Sequence, residues 1–115
     1  MVEIAQGEIW WAELREPKGS GPGFRRPVVV VQGNSLNRSR IGTVVSVPLT
    51  TNLNWAEAPG NTFLTAKITG LPKDSVANAS QVISLDRNCL TERAGKLAPK
   101  QITQVLNGID IVLGR

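Results

Sequence analysis

Four consecutive β-branched residues, Val28–Val31, constrain the fold of this chain more than any other feature. An uninterrupted β-branched run is typical of a strand that is buried on both faces. Residues 19–24, G-S-G-P-G-F, precede it and lead into Arg25, Arg26 and Pro27. Pro27 lacks an N–H and favours an extended backbone at Arg26. We therefore expect two arginines where a flexible loop meets a rigid strand, and this junction is the candidate active site.

The remaining sequence indicates further strands and one long helix. Alternation predicts a strand over residues 7–14, with Trp10, Ala12 and Leu14 on one face and Ile9 and Trp11 on the other. A loop is predicted over 15–24, a strand over 28–32, a hairpin loop over 33–42, and a strand over 43–51 in which Pro48 marks a bulge or an edge. Later come a loop over 52–61, a strand over 62–68, a turn over 70–75, a strand over 75–85 and a helical turn over 86–92.

Pro99 is placed to begin the helix. Apolar residues then recur at three- and four-residue spacing: Ile102, Val105, Leu106, Ile109, Val112 and Leu113. Closely spaced strands followed by one helix predict a mostly antiparallel β-barrel with a C-terminal helix, which is an α+β protein that is mostly β.

Length and composition exclude several classes. With 115 residues, the chain is expected to form a single domain over 1–115. No apolar run is long enough to cross a bilayer and the first residues lack the pattern of a signal peptide, so a cytoplasmic protein is expected. The single cysteine, Cys89, is expected to be a small, partly buried hydrophobic side chain rather than a nucleophile. The absence of histidine removes the commonest general base and the commonest metal ligand.

Positive charge is concentrated in one segment. Residues 17–56 contain no carboxylate, and they carry Lys18, Arg25, Arg26, Arg38 and Arg40. The whole chain has a net charge of +4 and a pI near 9.8. Such a segment favours a polyanion, with nucleic acid as the first candidate, although a solvated basic surface is the alternative.

Four blocks, in order along the chain, resemble the MazF/PemK family of toxin endoribonucleases. They are G-E-I-W-W-A-E-L from residue 7, K-G-S-G-P-G-F-R-R-P-V-V-V-V from 18, N-R-S-R-I-G-T-V-V-S-V-P-L-T-T-N from 37, and G-L-P-K-D-S-V-A-N-A-S-Q-V from 70. The resemblance implies a small SH3-like antiparallel β-barrel that pairs as a homodimer and is inhibited by a cognate antitoxin. It also implies cleavage of single-stranded RNA without metal or cofactor, leaving 2′,3′-cyclic phosphate and 5′-hydroxyl ends, with Arg26 and Thr50 as the catalytic residues.

The chemistry of RNA cleavage fits those residue types. The ribose 2′-oxygen is the nucleophile, so the protein needs only to stabilise charge on a five-coordinate phosphorus and hold the reacting oxygens in line. A guanidinium can donate two parallel hydrogen bonds to phosphate oxygens, and a threonine hydroxyl can donate one more. An arginine stays protonated near neutral pH, so we assign Arg26 to charge stabilisation and leave the proton route unassigned.

Nine further residues are candidates for binding RNA: Lys18, Ser20, Arg25, Asn34, Arg38, Arg40, Thr51, Trp55 and Gln81. Most have a structural alternative. Arg25, Arg38 and Arg40 could be ordinary surface charges, Asn34 could serve its turn, Thr51 could be structural, and Gln81 could belong to a polar outer face. Trp55 could stack on an unpaired base or contact an antitoxin.

Two positions depart from the family pattern. Gly21 stands where the family usually has a glutamate, and Ile83 where some members have an arginine. Two rival functions stay open at this point. One is a non-catalytic inhibitor of the same fold that binds DNA gyrase, and the other is a nucleic-acid-binding module that has lost its cleavage activity.

Overall fold

The computed structural model describes residues 3–14 and 24–115. Within them, seven strands form a curled antiparallel sheet in the order β4-β5-β3-β2-β1-β7, and β6 pairs with β3. The strands are β1 Glu8–Glu13, β2 Arg25–Val30, β3 Thr43–Thr50, β4 Thr62–Leu64, β5 Ser75–Ala77, β6 Ile83–Asp86 and β7 Leu90–Lys96. Two helices of one turn, α1 Asn34–Asn37 and α2 Ala66–Thr69, precede the long helix α3 Pro99–Leu113. Three 3-10 turns cover Leu53–Glu57, Ala79–Gln81 and Arg87–Cys89. The predicted antiparallel sheet with a C-terminal helix is confirmed.

The strands β1 and β2 are buried on both faces, as their sequences predict. One core cluster contains Ile9 and Val29, and the other contains Trp10, Val28 and Val30. Each fully buried valine contributes about 1.5–3 kcal/mol relative to an exposed one. This double burial makes β2 a rigid support for the arginines at its start, although Arg25 and Arg26 belong to the strand itself rather than to a loop before it.

The central strand β3 uses one edge for β2 and divides the other edge between two strands. Thr43–Ser46 pair with β6, whereas Leu49 and Thr50 pair with β5. Pro48 lies at the change of partner, where its carbonyl accepts a hydrogen bond from the Asn78 N–H at 3.0 Å. The N and O of one strand residue point to the same side, so the missing N–H of Pro48 breaks no bond to β2.

This division makes the predicted strand over residues 75–85 wrong. Its two ends pair with β3 on either side of Pro48, and the 3-10 turn Ala79–Gln81 carries the chain past the gap. The prediction of a single strand failed because the interruption is imposed by the partner strand.

Two other predictions need correction. The predicted strand over 62–68 ends at Leu64, because the Thr65 hydroxyl accepts a hydrogen bond from the Ile68 N–H and begins α2. Gly70 ends that helix with φ 81°, a conformation that favours glycine. The predicted hairpin loop over 33–42 contains α1.

The strand β7 is absent from the sequence prediction, which placed a helical turn over residues 86–92. The 3-10 turn ends at Cys89, and Leu90 begins the strand. L-T-E-R-A-G-K contains one β-branched residue and no aromatic one, so local propensity does not favour a strand. Pairing with β1 imposes it, with two shifts of register along the ladder.

The helix α3 covers one face of the sheet and begins at Pro99 as predicted. Val105 is buried in the core cluster of Ile9 and Val29, although Leu113 near the end is 61% exposed. Gly108 packs directly on Gly60, and an added Cβ at Gly108 would clash with the Gly60 carbonyl oxygen. In the described part of the chain, no helix is long and apolar enough to cross a membrane.

Candidate active site

A cleft of about 380 Å³ opens where three strand ends meet the turn between α2 and β5. Its walls come from the ends of β1 and β2, the end of β3 with the residues after it, and the turn. The lining residues are Trp11, Arg25, Arg26, Pro27, Leu49, Thr50, Thr51, Asn52, Leu71, Pro72, Lys73 and Ser75. Four of the predicted site residues, Arg25, Arg26, Thr50 and Thr51, therefore lie in one cleft.

Arg26 is half-buried in the second position of β2, opposite Ala12 of β1. Its Nε atom is buried and has no hydrogen-bond partner among residues 3–14 and 24–115. An unpaired buried donor is costly, and more so in a charged group. A ligand oxygen in the cleft would satisfy this donor.

Thr50 is the last residue of β3. The pair Val28–Pro48 sets the register between β2 and β3, and Arg26 and Thr50 are each two residues beyond that pair. The Thr50 Oγ1 accepts a hydrogen bond from the Asn52 N–H at 3.2 Å. This bond uses an acceptor lone pair and leaves the hydroxyl proton for another acceptor. Thr50 can therefore donate to an anion beside Arg26.

Arg25 is held by three neighbours. Its guanidinium carbon lies 4.5 Å from the centroid of the Trp11 ring. Its Nε is 3.4 Å from Glu13 Oε1, and its Nη2 is 3.2 Å from Glu92 Oε2. All three charged side chains are largely exposed, so each pair contributes only about 0.2–1 kcal/mol. The contacts nevertheless orient Arg25, and two carboxylates offset its charge.

The third wall was missed by the sequence analysis. Leu71, Pro72, Lys73 and Ser75 belong to the G-L-P-K-D-S block, which the sequence connected with the family but to which it gave no role. Trp11, expected mainly in the core or at a partner surface, also lines the cleft. No local signal marks these residues, because their position depends on how α2 and β5 meet the sheet.

The other predicted residues that the structure describes do not line this cleft. Asn34 serves the structure, since its Oδ1 accepts hydrogen bonds from the Gln6 N–H at 2.8 Å and from Asn37 Nδ2 at 3.0 Å. Arg38 and Arg40 are exposed after α1, Trp55 is 51% exposed in a 3-10 turn, and Gln81 ends another. Lys18, Ser20 and Gly21 lie outside the described residues. A role in binding RNA stays a prediction for each of the nine candidates.

The cleft suits an anion that has several oxygens. Arg26 and Thr50 can donate from neighbouring strands, and Arg25 and Lys73 are further cations in the lining. In the two described segments, no group of three or more histidine, cysteine, aspartate or glutamate side chains is placed to hold a metal ion. The donors present match phosphate chemistry.

Comparison with known proteins identifies the family to which this chain is similar. The family described as PemK-like, MazF-like toxin of type II toxin-antitoxin system matches residues 5–113. The endoribonuclease MazF6 of Mycobacterium tuberculosis is 42% identical over 110 residues, covering 96% of each chain. The endoribonuclease MazF of Staphylococcus saprophyticus is 35% identical over 111 residues, covering 96% of this chain and 92% of its own.

Solved structures show the same fold. MazF from Deinococcus radiodurans superposes with a TM-score of 0.81 at 22% identity, covering 100% of each chain. A mycobacterial endoribonuclease, solved in complex with its cognate antitoxin, superposes with a TM-score of 0.72 at 23% identity, covering 99% of this chain and 96% of that one. The match over residues 5–113, together with these relatives, shows that the chain belongs to the PemK-like, MazF-like toxin family of type II toxin-antitoxin systems.

Proposed function

We propose that this chain is a toxin endoribonuclease that cleaves single-stranded RNA in the cleft between Arg26 and Thr50. One observation carries the proposal: a cationic side chain, whose buried donor has no partner in the described part of the chain, shares a cleft with a hydroxyl whose proton is available. The names of the curated relatives, which are endoribonucleases, support RNA as the substrate.

The reaction begins when the ribose 2′-oxygen attacks the adjacent phosphorus. The bond from phosphorus to the 5′-oxygen then breaks, which leaves a 2′,3′-cyclic phosphate and a 5′-hydroxyl. Arg26 donates to the non-bridging oxygens as negative charge develops on them, and Thr50 donates a further hydrogen bond. The nucleophile belongs to the RNA, so the proposed reaction uses no metal ion and no cofactor.

Position 21 bears on the rate of this reaction. The resemblance places a glutamate there, whereas this chain has Gly21, outside the described residues. In the described part, Glu13 and Glu92 lie within salt-bridge distance of Arg25. We leave the proton acceptor unassigned and predict that Arg26 acts through charge alone.

The proposed partners follow from the family and its relatives. A related mycobacterial endoribonuclease has been solved with its cognate antitoxin, and we propose that an antitoxin inhibits this chain as well. We further propose that residues 1–115 form one domain, that the toxin pairs as a homodimer, and that it acts in the cytoplasm on messenger RNA to inhibit translation and growth.

The test is cleavage of a long single-stranded RNA by the purified protein in EDTA, with cut sites mapped by primer extension. We expect cuts at a short recurring sequence, with 2′,3′-cyclic phosphate ends. A matched RNA with a 2′-deoxyribose immediately 5′ of the scissile phosphate should resist cleavage at that site. Binding without cleavage would favour the nucleic-acid-binding module, and neither binding nor cleavage would favour the gyrase-type inhibitor. Cleavage of the deoxy substrate would contradict the proposed nucleophile.

A further inference from the structure

The charges around the cleft are distributed unevenly. On the side of β1 and β7, Glu13 and Glu92 are exposed and offset the charge of Arg25. Lys73 is also exposed and lines the cleft from the turn between α2 and β5. Phosphate groups that extend beyond the cleft would be repelled by the two carboxylates and attracted by Lys73.

Lys73 has no described partner that would compensate its charge. Among residues 3–14 and 24–115, no carboxylate lies within salt-bridge distance of its ammonium group. Its neighbour Asp74 is directed elsewhere, because the Asp74 Oδ1 accepts a hydrogen bond from the Ala66 N–H at 2.8 Å. The ammonium group is therefore available to an external anion.

The turn that carries Lys73 is firmly anchored. The Leu71 N–H donates to the Thr69 Oγ1 at 3.1 Å, and the Leu71 side chain is buried in the core. Gly70 and Gly95 bring the turn against β7 so closely that an added Cβ on either would clash with a backbone carbonyl. Together with the hydrogen bond to Asp74, these contacts fix the backbone position of Lys73 beside the cleft before any ligand binds.

We propose that Lys73 is a substrate-binding residue that contacts a phosphate next to the scissile one. The RNA backbone would then run from Arg26 and Thr50 toward the turn that carries Lys73. This inference rests on the proposed function, because it assigns the direction of the same substrate in the same cleft. Lys73 binds the RNA without touching the reacting atoms, so it acts on KM and leaves kcat unchanged.

Salt dependence gives this proposal a specific test. Each phosphate neutralised on a single strand contributes about 0.7 to the slope of log affinity against log salt concentration. We expect Lys73→Ala to raise KM about 3- to 10-fold at low salt and to reduce that slope by about 0.7, with kcat unchanged. Lys73→Glu should raise KM further, and Lys73→Arg should restore it.

Lys100→Ala is the matched control. Lys100 is an exposed lysine in the first turn of α3, shortly after Leu97, whose N–H donates to the Gly7 carbonyl. It therefore lies near the Gly7 end of β1, whereas the cleft is at the Glu13 end. Its removal should alter neither KM nor the slope.

The outcomes separate this inference from the proposed function. Cleavage by the wild-type protein, with KM and slope unchanged in Lys73→Ala, would overturn the role of Lys73 alone. A fall in kcat without a change in slope would also overturn it. No RNA cleavage by the wild-type protein would overturn the proposed function instead.

Discussion

Arg87 and Arg26 lie in different parts of the molecule, the first buried and the second half-buried, and their bonding separates a structural role from a proposed catalytic one. Arg87 is 4% exposed, and its guanidinium donates to the carbonyl oxygens of Ile41 at 2.9 Å and Asn37 at 2.6 Å, with Leu36 at 3.4 Å. Two of these carbonyls belong to α1 and one to the segment between α1 and β3, so Arg87 ties both to the 3-10 turn after β6.

Arg26 differs from Arg87 in its hydrogen bonding and in its surroundings. Its Nε has no partner in the described part of the chain, and its side chain reaches a cleft. A buried guanidinium whose donors are satisfied stabilises the fold, whereas one with a free donor beside a cleft is placed to bind an anion. The hydrogen bonding, rather than the degree of burial, assigns the two roles.

The comparison is tested most strongly by Arg26→Ala. We expect kcat for RNA cleavage to fall about 100- to 1000-fold, the loss seen when one preorganised donor is removed from an anionic transition state. The free energy of unfolding should stay the same or rise, because an unpaired buried donor is removed with the side chain. Cleavage rates and urea unfolding measure both quantities. Arg115→Ala, at an exposed terminal arginine, is the control, and cleavage by Arg26→Ala at the wild-type rate would exclude its assignment.

Arg87→Met should show the opposite pattern. The substitution keeps much of the volume but leaves buried carbonyls unpaired, so we expect the free energy of unfolding to fall by about 3 kcal/mol. Under conditions where the variant is folded, kcat should match that of the wild type. Arg40→Met, at an exposed arginine, should change stability by less than about 0.5 kcal/mol. A stable Arg87→Met variant with reduced kcat would reverse the roles given to the two arginines.

Thr50→Val probes the hydroxyl with little change of shape. Valine cannot donate to phosphate, so we expect kcat to fall about 10- to 100-fold, somewhat less than for the charged donor. Thr50→Ser keeps the hydroxyl and should cleave RNA at close to the wild-type rate. Equal rates for the valine and serine variants would show that the hydroxyl of Thr50 does not contribute to cleavage.

The smallest effect on stability and cleavage is expected at Ser46. This residue tests whether a buried polar atom without a described partner must have a function. Ser46 is fully buried on β3 between Val30 and Ile83, and its Oγ has no described partner, yet it lines no part of the cleft. Ser46→Ala should raise the free energy of unfolding by up to about 1 kcal/mol and leave RNA cleavage unchanged. A loss of stability would show that the hydroxyl forms a bond that contributes to the fold.

The strands with strong patterns were predictable from the sequence, and those created by pairing were not. The valines of β2 and the alternating faces of β1 specify double burial without reference to the rest of the chain. The strand β7 has no such pattern and exists through its ladder with β1. A local signal did exist for α2, where Thr65 and Gly70 stand at the positions of an N-cap and a left-handed C-cap.

The site divides in the same way. Arg26 and Thr50 stand at the ends of two strands that the sequence identifies, so their proximity could be expected. Lys73 reaches the cleft only because a one-turn helix and two glycines fold its turn against β7, and local sequence does not encode that distance. The charge excess in residues 17–56 identified a basic segment, but Arg38 and Arg40 lie outside the cleft that this segment helps to form.

The contact between Gly60 and Gly108 determines how closely α3 can approach the sheet. The two backbones are in direct contact there because neither glycine has a Cβ atom. The distance between the helix and the sheet therefore cannot be adjusted by changing a side-chain rotamer. Substitutions on the outer surface of the helix can therefore accumulate without disturbing the strands beneath. A single alanine at either glycine would push the helix away from the sheet, because the added Cβ would meet the carbonyl oxygen of the other glycine.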